Sequence, residues 1–125
     1  MAEKIGWTYS VQALGGPTVT GSGSMLVDSY VKLSVVVPKK KTLDVEIQPG
    51  AGSSLQILLI QPVTPSPDLS YKAGADTVVL DGPHVLIGSG AVNLLAASVG
   101  KLTFDNKSDV DAGISILAGR DATPP

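Results

Sequence analysis

The chain of 125 residues contains no cysteine, which excludes disulfides, thiolate zinc sites, iron–sulfur ligation and cysteine nucleophiles together. It contains one histidine, so a metal site of several histidines cannot form within one chain. A Ser-His-Asp triad would have to use His84 with Asp81 or Asp76 and a serine that no G-x-S-x-G elbow identifies. His84 reads better as a turn-proximal residue at a strand edge. Aromatic residues make up only 4% of the chain, which leaves few platforms for stacking bases or sugars.

Charge is scarce as well. Charged residues amount to 16%, against about 25% in an ordinary soluble domain, and the 9 basic and 11 acidic side chains leave a net charge of -2 with no long run of either sign. Nothing here attracts a polyanion, so nucleic acid is not an expected partner. Mean hydropathy is positive, at +0.28. A surface this poor in charge is expected to be partly covered, and a subunit interface is the usual cover. The alternative is a well-packed monomer whose loops are neutral, with Gly, Ser, Thr and Pro in place of charges.

Long apolar runs are missing too. The stretch Leu55 to Ile60 falls far short of the roughly 20 residues that a membrane helix needs. Glu3 and Lys4 are followed by the mixed segment IGWTYSVQALGG rather than by an apolar signal core. The expectation is a chain that stays in the cytoplasm or in a particle assembled there, with no membrane partner.

What the sequence does have is alternation with period two, which sends successive side chains to opposite faces of a sheet. Ile5, Trp7, Tyr9 and Val11 share one face of a first strand; Val31, Leu33, Val35 and Val37 share one face of another; Leu43, Val45 and Ile47 follow. Pro38 to Thr42 reads as a lysine-rich hairpin tip in water. Leu55 to Ile60 reads as a strand buried on both faces. Gln61 to Asp76, with Pro62, Pro65 and Pro67, is the longest expected loop.

Further strands are expected at 77–80, 84–87, 102–104 and 114–118. Ala91 to Val99 is also assigned to a strand, although its alanines and leucines favour helix. Gly21-Ser22-Gly23 and Gly88-Ser89-Gly90 read as turns. Residues 1–125 thus form one all-β domain of about nine or ten strands, a two-sheet sandwich or a jelly roll.

A shift of 59 residues lays Leu43, Val45, Leu55, Ile57 and Leu58 on Leu102, Phe104, Ile114, Ile116 and Leu117, and Leu33 and Val35 on Val92 and Leu94. If this reflects a duplication, residues 24–61 and 83–120 are two pseudo-equivalent halves. The competing explanation is that both halves simply obey one β pattern.

Two sets of residues are candidates for binding. Trp7, Tyr9, Tyr30 and Tyr71 are the aromatic residues that could meet a carbohydrate or another small ligand. Asp105, Asp109 and Asp111 could gather oxygen ligands for calcium, although the spacing is not that of a helix–loop–helix site and no bidentate glutamate follows. No cofactor is implied. The expected function is a non-enzymatic structural or assembly subunit that associates with itself, as in a ring, shell or phage-like particle, with a carbohydrate- or small-ligand-binding module as the alternative.

Overall fold

A computed structural model describes residues 3–47, 53–95 and 100–122. The chain is nearly all β, arranged as a two-sheet sandwich with a projecting two-stranded ribbon. The ribbon pairs β1 (Glu3–Gln12) with β2 (Thr18–Val27). The remaining strands are β3 (Ser29–Val37), β4 (Lys41–Glu46), β5 (Ser53–Pro62), β6 (Leu69–Lys72), β7 (Thr77–Val79), β8 (His84–Ile87), β9 (Lys101–Asn106) and β10 (Ala112–Ala122). A four-residue helix, α1 (Ser89–Val92), lies between β8 and β9.

Sheet I has the order β3-β10-β5-β8 and sheet II the order β4-β9-β6-β7, all neighbours antiparallel. From β3 onward nearly every connection crosses from one sheet to the other; the β6–β7 hairpin stays within sheet II. The lysine-rich tip is therefore a crossover between sheets, not a hairpin. Lys40 adopts φ 59 there, and Lys41 already belongs to β4.

The core fills the gap between the sheets. Val37, Leu58, Ile60, Ile114, Ile116 and Ala118 from sheet I meet Val45, Leu69, Tyr71, Leu102 and Phe104 from sheet II. Each of these lies on the period-two set that faces inward, which is why the alternation is so regular in β3 and β9. Two polar contacts cross the core at its margins. Tyr71 Oη and His84 Nδ1 stand 2.7 Å apart, and the Asn106 amide donates to the Val37 carbonyl at 3.0 Å.

Three further segments differ from the sequence expectation. Residues 89–92 are helical and 93–95 form a turn, so the strand expected from Ala91 is not formed through Leu95; residues 96–99 lie outside the described set. Val92 explains the preference, because the helical turn drops its side chain into the core. Gly21 and Gly23 are not in a turn but inside β2. The expected loop 61–76 contains β6, whose Leu69 and Tyr71 are fully buried.

The 59-residue shift superposes β4 on β9 and β5 on β10, and each of those pairs is adjacent and antiparallel in its sheet. Leu33 and Val35 of β3 fall instead on Val92 in the short helix and Leu94 in the turn.

Candidate functional site

Residues directly opposite each other on paired strands point to the same side, so the registers assign every strand position to an inner or outer face. On the outer face of sheet I, one row runs Lys32–Leu117–Leu59–Val85 and the next Tyr30–Gly119–Ile57–Ile87. A third row runs Ser34–Ser115–Gln61, and Val36 stands opposite Gly113. Lys32 is the charged side chain in these rows. Tyr30, Val36 and Val85 are each more than half exposed.

The outer face of sheet II has a different character. Its rows are Thr42–Asp105–Ser70–Val79, Asp44–Thr103–Lys72–Thr77 and Glu46–Lys101. Asp44, Glu46, Lys72, Lys101 and Asp105 carry charge, and Lys101 pairs with Asp44 at 3.8 Å. Antiparallel sheets commonly show water this alternation of apolar inside and polar outside. On sheet I the polar outer positions are Lys32 and the row Ser34–Ser115–Gln61, and the rows around Leu117 and Ile57 are otherwise apolar.

The ribbon extends the apolar surface. Its register places Ile5 opposite Met25, Trp7 opposite Gly23, Tyr9 opposite Gly21 and Val11 opposite Val19, all on one face. The glycines make room for the rings: a Cβ on Gly23 would stand 2.7 Å from Trp7 Cζ2, and one on Gly21 would collide with the Tyr9 ring. Tyr9, Val11 and Val19 are nevertheless largely exposed, and Leu14 at the tip is 99% exposed. Lys4, Thr8, Ser10, Thr18, Thr20, Ser22 and Ser24 occupy the opposite face.

The ribbon is rooted on the outer face of sheet I. A Cβ on Gly119 would lie 2.8 Å from Ile5 Cδ1, 2.8 Å from Ile57 Cγ2 and 3.3 Å from Val27 Cγ1, so these three side chains close over the glycine. The Asp28 amide donates to the Arg120 carbonyl at 2.9 Å and fixes the junction. Ile57 is buried there although it sits on the outer side of its strand. The ribbon face and the outer face of sheet I thus join into one apolar surface.

The four aromatic candidates separate into three environments. Trp7 and Tyr9 stand together on the ribbon, and Tyr30 lies on the outer edge strand of sheet I. Tyr71 is fully buried against Phe104, ring centroids 5.8 Å apart, and presents no face to a ligand in solution. Burial pushes its phenol up to about 12. Beside Tyr30, a cleft of about 340 Å³ is lined by Ser29, Glu46, Ile47, Ala118 and Arg120.

The three aspartates are not gathered into a calcium cage. Asp105 faces outward on sheet II between Thr42 and Ser70. Asp109 pairs with Lys40 at 3.2 Å, and Asp111 accepts from the Lys39 amide at 2.9 Å. Among the described residues there is no group of three or more His, Asp or Glu side chains able to hold a metal ion. Here the acidic residues tie the 107–111 loop to the lysine-rich crossover, with Lys40 Nζ also donating to the Lys107 carbonyl at 2.8 Å.

The sequence reading overlooked β2 and therefore half of the ribbon face. Its signal was present, since Val19, Met25 and Val27 alternate around the two glycines. Among the described residues no helix is long and apolar enough to cross a membrane. No protein-family model, no curated protein and no solved structure matches the chain.

Proposed function

We propose that this chain is a non-enzymatic structural subunit that associates with copies of itself, a jelly roll whose outer sheet I face forms the contact. The jelly-roll reading rests on the strand order: eight strands in two four-stranded sheets, with crossovers that place first beside last in sheet I and second beside second-to-last in sheet II. One observation carries the functional reading. Sheet I sets Leu59, Leu117, Val85, Ile87 and Tyr30 on its outer side with Lys32 as their charge, whereas sheet II carries five charged side chains on its own. Contiguous apolar patches of this kind mark interaction surfaces on soluble proteins.

Sedimentation velocity at micromolar concentration tests the proposal. An assembly of two or more copies is expected; a strict monomer overturns it. A second reading, a module for a carbohydrate or other small ligand, draws on the Tyr30 cleft, whose size is at the lower end for ligand pockets and whose polar lining is Ser29, Glu46 and Arg120. Saturation-transfer spectra against a glycan and metabolite panel test that reading, with loss of signal in Tyr30→Ala as the expected result.

A further inference from the structure

We infer that the β1–β2 ribbon of one copy lies across the outer face of sheet I of a second copy, and that two copies exchange ribbons reciprocally. The inference rests on the self-association reading and names what covers the apolar face.

The ribbon itself gives the first reason. A two-stranded hairpin alone is marginally stable at best in water, and independent stability needs a third strand or a surface to pack on. Here the strands run for ten residues each, yet the closest packing against the sandwich is at the root, where Ile5 and Val27 meet Gly119. Beyond it Tyr9, Val11 and Val19 stand in solvent on the apolar face. Neither strand contains proline, and past Lys4 at the root neither carries a charge of the kind that blunts exposed edges.

The second reason is that the required contact already exists inside one copy. Ile5 and Val27 of the ribbon face close over the sheet I backbone at Gly119 beside Ile57. The next row of the same sheet, Leu117, Leu59 and Val85, offers a surface of the same chemistry to the outer part of a neighbour's ribbon. Lys32 stands on the edge strand β3, where its stem can lie along the aromatic ribbon face while the ammonium stays in water, so it need not carry an unpaired charge into the contact.

Area decides for reciprocity. At about 3.4 Å per residue and a width of about 10 Å, the ribbon face has a footprint of roughly 340 Å². Four strands spaced about 4.8 Å apart, over about four residues, give the sheet I face roughly 270 Å². Either surface alone falls well below the roughly 800 Å² per partner of a standard interface. A twofold exchange engages both on each copy, about 600 Å² of flat footprint less the root already closed over Gly119, which brings it nearer to that size than either surface can come alone.

The absence of cysteine makes a clean test. Val11→Cys and Val85→Cys each replace an exposed side chain, 68% and 53% accessible, and so leave the core untouched. Full-length Val11→Cys protein mixed with full-length Val85→Cys protein and treated with a short bismaleimide is expected to give a covalent heterodimer. The yield should exceed at least tenfold that obtained when Lys72→Cys, on the opposite sheet, replaces Val85→Cys. The double variant Val11→Cys/Val85→Cys is expected to stop at a covalent dimer.

Each other result overturns the inference. An assembled parent whose Val11→Cys couples no better to Val85→Cys than to Lys72→Cys removes ribbon docking while leaving self-association standing. Efficient coupling of Val11→Cys only to itself indicates ribbon–ribbon pairing instead. A ladder of higher species from the double variant excludes reciprocity. A monomeric parent removes both this inference and the reading beneath it.

Discussion

Leu59 and Thr103 hold comparable places, each on an interior strand and each near the middle of the outer face of its sheet. Leu59 is flanked by Leu117 and Val85, Thr103 by Asp44 and Lys72. Yet the two strands carry inner-face residues of one kind, Leu58 and Ile60 against Leu102 and Phe104, all fully buried. Folding requires an apolar inner face of both sheets, and it gets one from both. The outer face of sheet II is polar in every row, whereas that of sheet I is polar only at Lys32 and along Ser34, Ser115 and Gln61. The difference separates the inner positions, where both sheets are alike, from the outer positions, where they are not.

The strongest way to break this comparison is to place the same charge at both positions. Leu59→Lys is expected to weaken self-association about a thousandfold, equivalent to about 4 kcal/mol for an unpaired charge carried into an apolar contact. Thr103→Lys should leave association unchanged. Sedimentation over a concentration series reads both, and equal effects from the two substitutions would show that the faces do not differ in role. Thr103→Lys should change monomer stability by no more than about 0.5 kcal/mol, and Leu59→Lys, which gives up half-buried apolar contact, by about 1 kcal/mol, so association is compared between folded proteins.

Inside, the expectation reverses, and stability rather than assembly should respond. Asn106 is buried and saturated: it donates to the carbonyls of Val37 and Val110 and accepts from the amide and hydroxyl of Ser108. It joins the end of β9 in sheet II to the end of β3 in sheet I. Asn106→Ala strands those partners and is expected to cost about 3 kcal/mol in urea unfolding, with no specific change in the assembly of the folded protein.

The boundary between inside and outside is Gly119, and its substitution should show a mixed effect. A methyl group there meets Ile5, Ile57 and Val27 at 2.8 to 3.3 Å. Gly119→Ala is expected to lower stability by about 2 kcal/mol through overpacking. It should also lift the ribbon root, which the fluorescence of Trp7 in β1 would report and which would weaken association if the ribbon is part of the contact. A stability loss with unaltered Trp7 emission would mean that the sheet, not the ribbon, takes up the strain.

Much of this architecture was legible in the sequence because a two-sided sandwich writes itself as alternation. Val31 to Val37 and Leu43 to Ile47 show it plainly. Three things were not legible. The two glycines of β2 look like turn formers until Trp7 and Tyr9 are seen to lie over them, a cross-strand relation that local sequence does not carry. β6 is short and follows three prolines, so its buried Leu69 and Tyr71 had no periodic context. The crossovers at 38–40 and 107–111 look like hairpin turns because a turn's composition does not reveal which sheet the next strand joins. For the candidate site, the scarcity of charge is legible in the composition, but only the register shows that apolar residues gather on the outer face of sheet I.

The smallest predicted effect concerns the other polar bridge between the sheets, Tyr71 with His84. Tyr71→Phe removes a hydrogen bond of 2.7 Å and should cost about 1 kcal/mol near neutral pH. Alkaline pH should invert that order. The phenol ionises at 10.0 in the unfolded chain and at about 12 in the fold, so between these values the unfolded state alone loses its proton. Stability then falls as pH rises from about 10, by about 1.4 kcal/mol per unit, until the folded pKa is reached. The Tyr71→Phe variant has no proton to lose at this position, so the difference between the two proteins isolates this one group from the lysines and the other tyrosines. Their stabilities should cross at about pH 11, and parallel curves would show that the Tyr71 ring is reached by water and does not join the sheets as the geometry implies.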